Sequence, residues 1–357
     1  MKKFVFSLLT AILVVCNTHA QTSLVATLNH EGNITAYYGI DALSQALTAA
    51  VNGDVITLSS GAFNSCNITK AVTIRGAGME YSDGMEPTKL QNDFYVNIPN
   101  SPNMFTMEGI YHNNTMYLAT ANKSLFFKCR FRTIDTYYYY NGVYYSGKGT
   151  VKNASFIHCK ISNCFYLYNG DNVSFDNCYV NDPMKSQSSS YASTTNYYFT
   201  NCVLRFTGAT YSFSDTNSSG RLSYTSYSSL KNCVIYSTIT NASYNTFPTT
   251  TTLYHNVANV ECFANALNTT NKVEADFTKL FKTWTGGEYS DEEKFDLTDT
   301  AATSYLGDDG KQVGIYGGSL PYDPVPTHPQ IVKCDVASNT TADGKLSVDI
   351  EVKGADY

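Results

Sequence analysis

The chain has 357 residues, of which only 15% are charged and 29 are tyrosine, and its formal net charge is −6 at pH 7. A negative net charge argues against a nucleic-acid-binding protein, because such proteins carry a basic surplus that contacts phosphates. The length exceeds that of most single compact cores, so two domains or one elongated array of repeats are expected.

The N-terminus has the layout of a cleaved export signal. A basic segment precedes an apolar run from Phe4 to Cys16, and a polar stretch ends at Ala20. We therefore predict a signal peptide over residues 1–20 and a mature chain that begins at Gln21. No later segment has the roughly 18 apolar residues that a membrane span needs. The sequence thus predicts a protein that is secreted, periplasmic or attached to the cell surface.

An amphipathic helix is the first element expected after the leader. Asp41 is a candidate N-cap, and apolar residues recur at helical spacing over 42–51 before an Asn-Gly pair ends the pattern. Two apolar runs follow, DVITL (54–58) and AVTIRG (71–76), with Gly61 between them. Both runs predict strands.

Six cysteines mark a repeat along the middle of the chain, with spacings of 30, 19, 24, 31 and 29 residues. In the first five copies, Phe or Leu stands three positions before the cysteine and an apolar residue stands two positions after it. A cysteine and its second neighbour share one face of a strand, so each copy predicts a short strand with one buried side. The six are Cys129, Cys159, Cys178, Cys202, Cys233 and Cys262.

An asparagine directly precedes the cysteine in three copies, at Asn177, Asn201 and Asn232. Asparagine tolerates the left-handed backbone conformation and hydrogen-bonds to nearby backbone, so each unit predicts a strand, a bend and a second strand. Units that cannot bury an apolar face alone must stack on one another. The repeat therefore predicts a solenoid with an internal column of unbridged thiols.

A disulfide scaffold is the alternative explanation of several cysteines in an exported chain. Thiols in register on parallel strands do not point at one another, as a disulfide requires, and their spacing follows the repeat instead of forming clusters. A zinc site is not expected either, because Cys159 and Cys164, with His158 adjacent, lack CxxC spacing.

Residues 41–78, DALSQALTAAVNGDVITLSSGAFNSCNITKAVTIRGAG, resemble the N-terminal cap and first coils of right-handed parallel β-helix proteins of the pectin-lyase-like superfamily. This resemblance implies an all-β fold, a right-handed parallel β-helix (solenoid) whose open end is covered by an N-terminal capping helix. Enzymes of this superfamily that cleave acidic polysaccharides carry motifs such as Asn-Thr-Asp, Gly-His-Gly or Arg-x-Pro-x-x-Arg, which this chain lacks. No catalytic residue is therefore assigned.

Near the C-terminus, residues 304–326 resemble the closing segment of secreted bacterial β-helix proteins, in which a Gly-rich turn leads off the last coil. Two alternating runs around Asp343-Gly344 predict a hairpin. We expect the β-helix and its cap over residues 21–325, and a linker with a short C-terminal β element over 326–357. Helical spacing predicts a brief covering helix at Val273, Phe277, Leu280, Phe281 and Trp284.

Cofactors are not predicted. The acidic turn at Asp308-Asp309 has too few oxygen ligands for calcium, so a plain turn is the expected structure.

Outward positions of the repeat supply the candidate substrate-binding residues. If the strands stack in register, the residues one position after each cysteine place Arg130, Lys160 and Tyr179 in one column, and those three positions after place Arg132 and Arg205 in the next. Arginine binds carboxylates with two parallel hydrogen bonds, and tyrosine packs against a sugar face. The alternative is that these are ordinary solvated residues of a sheet face.

Tyrosine-rich stretches at 136–149, 190–199 and 209–229 fall between the repeat cores, where solenoids often carry binding insertions. The same tyrosines would also fit strands that extend the stack.

Three function classes remain: a non-catalytic protein that binds polysaccharide or cell-surface glycan, a diverged polysaccharide lyase or glycoside hydrolase acting on acidic glycans, and a structural or adhesive surface protein. The abundance of Tyr and Asn and the missing acid/base motifs favour the first. The expected partner is a glycan, with no nucleic acid and no membrane span, and a monomer is expected. Carboxylates beside Arg130 and Lys160 in a groove would favour an enzyme.

Overall fold

A computed structural model describes residues 24–81, 86–98, 101–135, 139–140, 143–144, 151–164, 170–183, 196–207, 229–239, 246–247, 251–263, 270–287, 290, 293–336, 343–345 and 348–353. The predicted signal peptide and most of the tyrosine-rich stretches lie outside these residues. No helix in the described ranges is long and apolar enough to cross a membrane.

The described chain is mostly β. The N-terminal part contains β1 (Val25–His30), β2 (Asn33–Tyr38), α1 (Ala42–Ala49), β3 (Val55–Leu58), β4 (Gly61–Asn64), β5 (Thr73–Arg75), β6 (Thr88–Gln91), β7 (Phe94–Ile98), β8 (Phe105–Glu108) and β9 (Ile110–Phe127). The middle part contains β10 (Arg130–Asp135), β11 (Tyr139–Tyr140), β12 (Val143–Tyr144), β13 (Val151–Ile157), β14 (Lys160–Cys164), β15 (Gly170–Asp171), β16 (Val173–Asp176), β17 (Tyr179–Asn181), β18 (Tyr197–Thr200), β19 (Val203–Phe206), β20 (Ser229–Lys231), β21 (Val234–Ser237), β22 (Thr252–Tyr254), β23 (Val257–Ala258) and β24 (Lys272–Val273). The C-terminal part contains α2 (Phe277–Leu280), α3 (Asp299–Ser304), β25 (Gln330–Val336) and β26 (Val348–Lys353).

Two ladders of parallel strands make up the middle of the molecule. Strands before the cysteines pair in the order β9, β13, β16, β18, β20 and β22. Strands after the cysteines pair in the order β9, β10, β14, β17, β19, β21, β23 and β24. The repeat predicted from the sequence is therefore confirmed as a long sheet of mostly parallel strands.

Aromatic rings and thiols fill the inside of this stack. Phe126, Phe156, Phe175 and Phe199 lie face to face, with centroid distances of 4.6, 4.8 and 4.7 Å. The seven cysteines whose side chains are described are free, and the predicted thiol column is buried. Five thiols donate to a backbone carbonyl of the coil below, as Cys178 does to Phe156 (3.3 Å); the other four are Cys129, Cys159, Cys202 and Cys233. The unbridged column is confirmed for the first five of the six cysteines, and the disulfide alternative is wrong for the cysteines whose side chains are described.

The last repeat differs from the prediction. Leu253 pairs with Leu230 and Ala258 pairs with Ile235, so the position equivalent to cysteine is Asn256. The Asn256 amide takes the position of the thiol and forms two hydrogen bonds to the neighbouring coil. Oδ1 accepts from the Cys233 backbone N–H (2.9 Å), and Nδ2 donates to the Leu230 carbonyl (2.9 Å). Cys262 is buried, but it does not continue the column.

The residue before each cysteine, hereafter the corner residue, turns the chain between the two ladders. Asn177, Asn201 and Asn232 have φ of 50°, 51° and 55°, so the left-handed bend predicted for them is confirmed. The same conformation recurs at Lys128 and His158. A corner in this conformation directs its side chain away from the core.

A C-terminal segment, residues 305–328 and hereafter the strap, crosses the corner residues from the last coil back to the first. The expected turn off the last coil is thus a return along the whole repeat. Corner side chains bind it in sequence: His255 to the Leu306 carbonyl (3.0 Å), Asn232 to Asp308 Oδ1 (2.9 Å), Asn177 to the Ile315 and Gly317 carbonyls (2.8 and 2.9 Å), His158 to the Leu320 carbonyl (3.0 Å) and Lys128 to Asp323 Oδ2 (2.7 Å).

The strap ends on a buried carboxylate. Glu108 Oε1 accepts from the Thr327 backbone N–H (2.6 Å) and hydroxyl (2.5 Å). His328 Nδ1 lies 3.8 Å from the same oxygen, and Arg75 Nε lies 3.8 Å from Oε2. These contacts fix the far end of the strap to the early coils.

We expect Asn177→Ala to lower the free energy of unfolding by about 2 kcal/mol more than Asn172→Ala, because only Asn177 holds two strap carbonyls that would be left buried and unsatisfied. Asn172 is the matched control, since it has nearly the same φ (56° against 50°) but is exposed. Urea denaturation of both variants measures the difference. Equal losses would mean that the bend alone, and not the strap, sets the cost.

Helix α1 forms as predicted, with different end contacts. Asp41 occupies the N-cap position, but its carboxylate accepts from the Asn64 amide (2.7 Å) instead of from the helix backbone. At the other end, Lys70 Nζ donates to three carbonyls, those of Leu47 (2.7 Å), Thr48 (2.9 Å) and Ala50 (2.7 Å). A distant lysine thereby satisfies the helix C-terminus, where a positive charge is favourable.

The C-terminal elements agree in part with the sequence. Helix α2 spans Phe277–Leu280, whereas Val273 belongs to β24 and is exposed. Strands β25 and β26 pair antiparallel around the turn at Asp343-Gly344, as predicted. Helix α3, which the sequence did not predict, begins after Thr298, whose hydroxyl accepts from the Ala301 backbone N–H.

Candidate functional site

The stacking predicted for the first column of candidate residues is confirmed. Arg130 pairs with Lys160 across β10 and β14, and Lys160 pairs with Tyr179 across β14 and β17. In the second column, Arg205 on β19 pairs with Asn181 on β17. Arg132 lies on β10, which is separated from β19 by both β17 and β14. Arg132 is exposed, and it does not meet Arg205.

Tyr179 does not face solvent, so the expectation of an open strip is wrong at this position. The residue is 1% exposed, its ring stacks on Phe295 (4.9 Å between centroids), and its hydroxyl donates to the Gly287 carbonyl (3.0 Å). Arg205 is also buried and donates to Asn181 Oδ1 (3.2 Å). These two side chains belong to internal packing and not to a ligand surface.

The sequence contains a pattern that indicates the burial of Tyr179. Beyond Tyr179 the same column continues as Val203, Val234 and Val257, and apolar residues at outward positions imply that another segment covers them. The cover is a second apolar cluster formed by α2, α3 and the strap.

A cavity of about 420 Å³ lies against the other end of the column. Arg130 and Lys160 form its floor on the ladder, and the remaining walls come from distant parts of the chain. It is lined by Glu80, Tyr81, Arg130, Lys160, Lys294, Tyr316, Tyr322 and Pro324. The structure therefore brings two of the five predicted residues into one concave site and leaves Arg132, Tyr179 and Arg205 outside its lining.

Lys160 and Glu80 form an ion pair in the lining of this pocket. Lys160 is 6% exposed, and its Nζ lies 2.5 Å from Glu80 Oε1. The Tyr322 ring centroid is 5.1 Å from the same Nζ, and the Tyr322 hydroxyl is 3.5 Å from the same oxygen. The ammonium is thus held by one carboxylate and one aromatic ring.

Arg130 is more accessible than Lys160. Its guanidinium carbon lies 4.8 Å from the centroid of Tyr111, which is its register partner on β9. Next in the column, Lys89 donates to the Tyr81 hydroxyl (2.7 Å), and its Nζ lies 4.9 Å from that ring. Arg130 and Lys89 therefore each lie against a tyrosine ring at or beside the pocket.

Tyr316, on the strap, contributes a protonated phenol. Burial, followed by the negative charges of Asp296 and Glu80, raises the pKa of Tyr316 to about 12. A phenol with such a pKa donates hydrogen bonds at neutral pH and is a weak general base.

Anchored neighbours hold the walls in place. Met79, next to Glu80, is fully buried in the second apolar cluster. Lys128 binds Asp323, which lies between Tyr322 and Pro324. The pocket geometry therefore depends on the same strap contacts that bind the corner residues.

In the described ranges, no cluster of His, Cys, Asp and Glu is arranged to hold a metal ion. Asp308 instead accepts from Asn232, and its other oxygen lies 2.7 Å from Lys231 Nζ. No family model, curated protein or solved structure matches this chain.

Proposed function

We propose that this is an exported protein that binds an acidic polysaccharide or cell-surface glycan in the cavity between the ladder and the strap. The observation that carries the proposal is the pocket lining, which combines three cationic side chains, one carboxylate and three tyrosines. An anionic sugar needs positive charge for its acid group and flat aromatic surface for its ring. The cavity also falls in the size range of small-ligand sites.

The residues that line the cavity have different roles in the proposed binding. Arg130, stacked on Tyr111, would bind the ligand acid group with two parallel hydrogen bonds. Lys294 is exposed at the rim, where it would attract anions. The Tyr81 ring is 64% exposed and would pack against a sugar face, while the Tyr316 hydroxyl would donate to a ligand oxygen.

A diverged polysaccharide lyase is the second candidate, because Lys160, Tyr316 and Glu80 meet in one pocket. Proton abstraction beside a uronate needs a base that is deprotonated at the working pH, such as a neutral amine or a phenolate. Tyr316 stays protonated because its pKa is raised to about 12, and the Lys160 ammonium is paired with Glu80. These states favour binding without turnover.

We further propose that the ladders wind as a right-handed parallel β-helix related to the pectin-lyase-like superfamily, that α1 caps its open end, and that residues 1–20 are an export signal. Parallel crossover connections are almost always right-handed, which supports the handedness. Helix α1 buries Ala42, Leu43, Ala46 and Leu47, which supports a capping role.

Arg130→Ala is expected to weaken binding to polygalacturonate by about 10- to 100-fold, because charge-assisted hydrogen bonds to the ligand are lost. Arg132→Ala is the matched control, since it removes an exposed arginine two residues away on the same strand. Affinity electrophoresis and calorimetry measure the change. Equal weakening in both variants would contradict the pocket, and release of unsaturated sugar that disappears in Lys160→Ala would replace binding with a lyase.

A further inference from the structure

The pocket cations are of two kinds. Lys160 is almost completely buried and paired with Glu80 at 2.5 Å, whereas Lys294 is exposed and Arg130 is half-buried. The charge of Lys160 is therefore largely balanced inside the protein. Arg130 and Lys294 are therefore the cations most accessible to an incoming anion, and the Glu80 carboxylate lines the same cavity.

Glu80 is held in this position by its own segment. Met79 is buried beneath the strap, the Gly78 backbone N–H donates to the Gly109 carbonyl (3.0 Å), and the Gly78 carbonyl accepts from Thr88 (3.0 Å). Moving Glu80 away from Lys160 would break an ion pair whose ammonium is buried, which is unfavourable. The pair is thus expected to persist when a ligand arrives.

We propose that Glu80 is the specificity-determining residue of this pocket, and this inference rests on the proposed function. Its carboxylate takes the position against Lys160 that a ligand anion would otherwise occupy. A glycan with one carboxylate per sugar can place one acid group against Arg130 while its next acid group lies a full sugar away. A densely sulfated glycan places additional negative charge against Glu80, and such like-charge contacts reject a partner.

Glu80→Gln tests this directly, because it keeps the side-chain size and removes the charge. Relative to polygalacturonate, affinity for dextran sulfate is expected to rise by about tenfold or more, since the negative charge that repels a second anion beside Lys160 is removed. In the double variant E80Q/K160M the ratio of affinities is expected to return close to that of the unmodified protein, because the local charge is again balanced. An unchanged ratio in E80Q would overturn the proposal.

Glu86→Gln is the matched control, since Glu86 is exposed, belongs to the same segment and does not line the cavity. An equal rise in E86Q would show a general effect of net charge and would overturn the proposal. If E80Q does not fold, the same comparison is made between K160M and E80Q/K160M, and removal of the Glu80 charge is again expected to raise affinity for dextran sulfate.

Inorganic sulfate separates this inference from the proposed function. If neither glycan binds the unmodified protein, the proposed function fails, but a titration with sulfate still tests Glu80. Sulfate is then expected to raise the Tm of E80Q more than the Tm of E86Q or of E80Q/K160M. Equal responses of the three proteins would overturn the role of Glu80.

Discussion

Phe175→Ala is expected to lower the free energy of unfolding by about 3–5 kcal/mol. Phe175 is fully buried and lies between two parallel rings, 4.8 Å from Phe156 and 4.7 Å from Phe199. Truncation removes both stacking contacts and leaves a cavity. Hydrogen-bonded strands above and below prevent the stack from closing around that cavity, so little of the loss can be recovered by relaxation.

Tyr198→Ala is the control for this substitution, because it removes a ring of similar size that is 37% exposed on the outer face of the neighbouring strand β18. Its expected cost is below about 1 kcal/mol, in the range of an outward strand position. Chemical denaturation followed by far-UV circular dichroism gives both values. Similar losses in the two variants would show that the ring stack does not dominate the core.

Acidification is expected to destabilise the protein through Glu108. Burial favours the protonated form of this carboxyl, but the His328 imidazole and the Thr327 donors outweigh burial and lower its pKa from 4.5 to about 2. Since the pKa is lower in the folded state, the stabilisation is fully present above about pH 4.5 and is lost as the pH falls toward 2. The shift corresponds to about 3 kcal/mol.

Glu108→Gln removes this dependence. Unfolding free energies of the unmodified protein and of E108Q, measured from pH 7 down to about pH 2, should differ by about 3 kcal/mol at neutral pH and converge at the acid end. His112 and His158, whose pKa values burial lowers, weaken both proteins alike on acidification and cancel in the difference. A constant difference across the range would contradict the assignment to Glu108, and Glu86→Gln should show no such convergence.

Local pattern was sufficient to predict the ladder. Alternation predicts that the Phe faces inward on the strand before each corner, and that the Cys and its second neighbour face inward after it. The repeat of that pattern fixes the register by which Phe156 and Phe175 pair. The left-handed corner followed from the chemistry of asparagine. In the last copy the cysteine is replaced by Asn256. The prediction was wrong there, because it followed the next cysteine, Cys262, instead of the Leu253-to-Ala258 pattern around Asn256.

The pocket could be predicted only in part, because its walls are joined by contacts between residues far apart in the sequence, and the repeat pattern does not indicate such contacts. Arg130 and Lys160 belong to the repeat, so the sequence found them. Glu80 is 80 residues from Lys160, and Asp323 is 195 residues from Lys128. The strap contacts link single polar side chains to backbone carbonyls or to single carboxylates, and such contacts leave no hydrophobic pattern in the sequence.

The path of the strap has a consequence for how the molecule unfolds. In most stacked repeats each unit touches only its neighbours, so the ends can fray while the centre stays folded. Here one segment binds the coils of His255, Asn177 and Lys128 in turn, so opening any of them disturbs a chain shared by the rest. A single cooperative transition is therefore expected along the full length of the ladder, in place of stepwise melting from its ends.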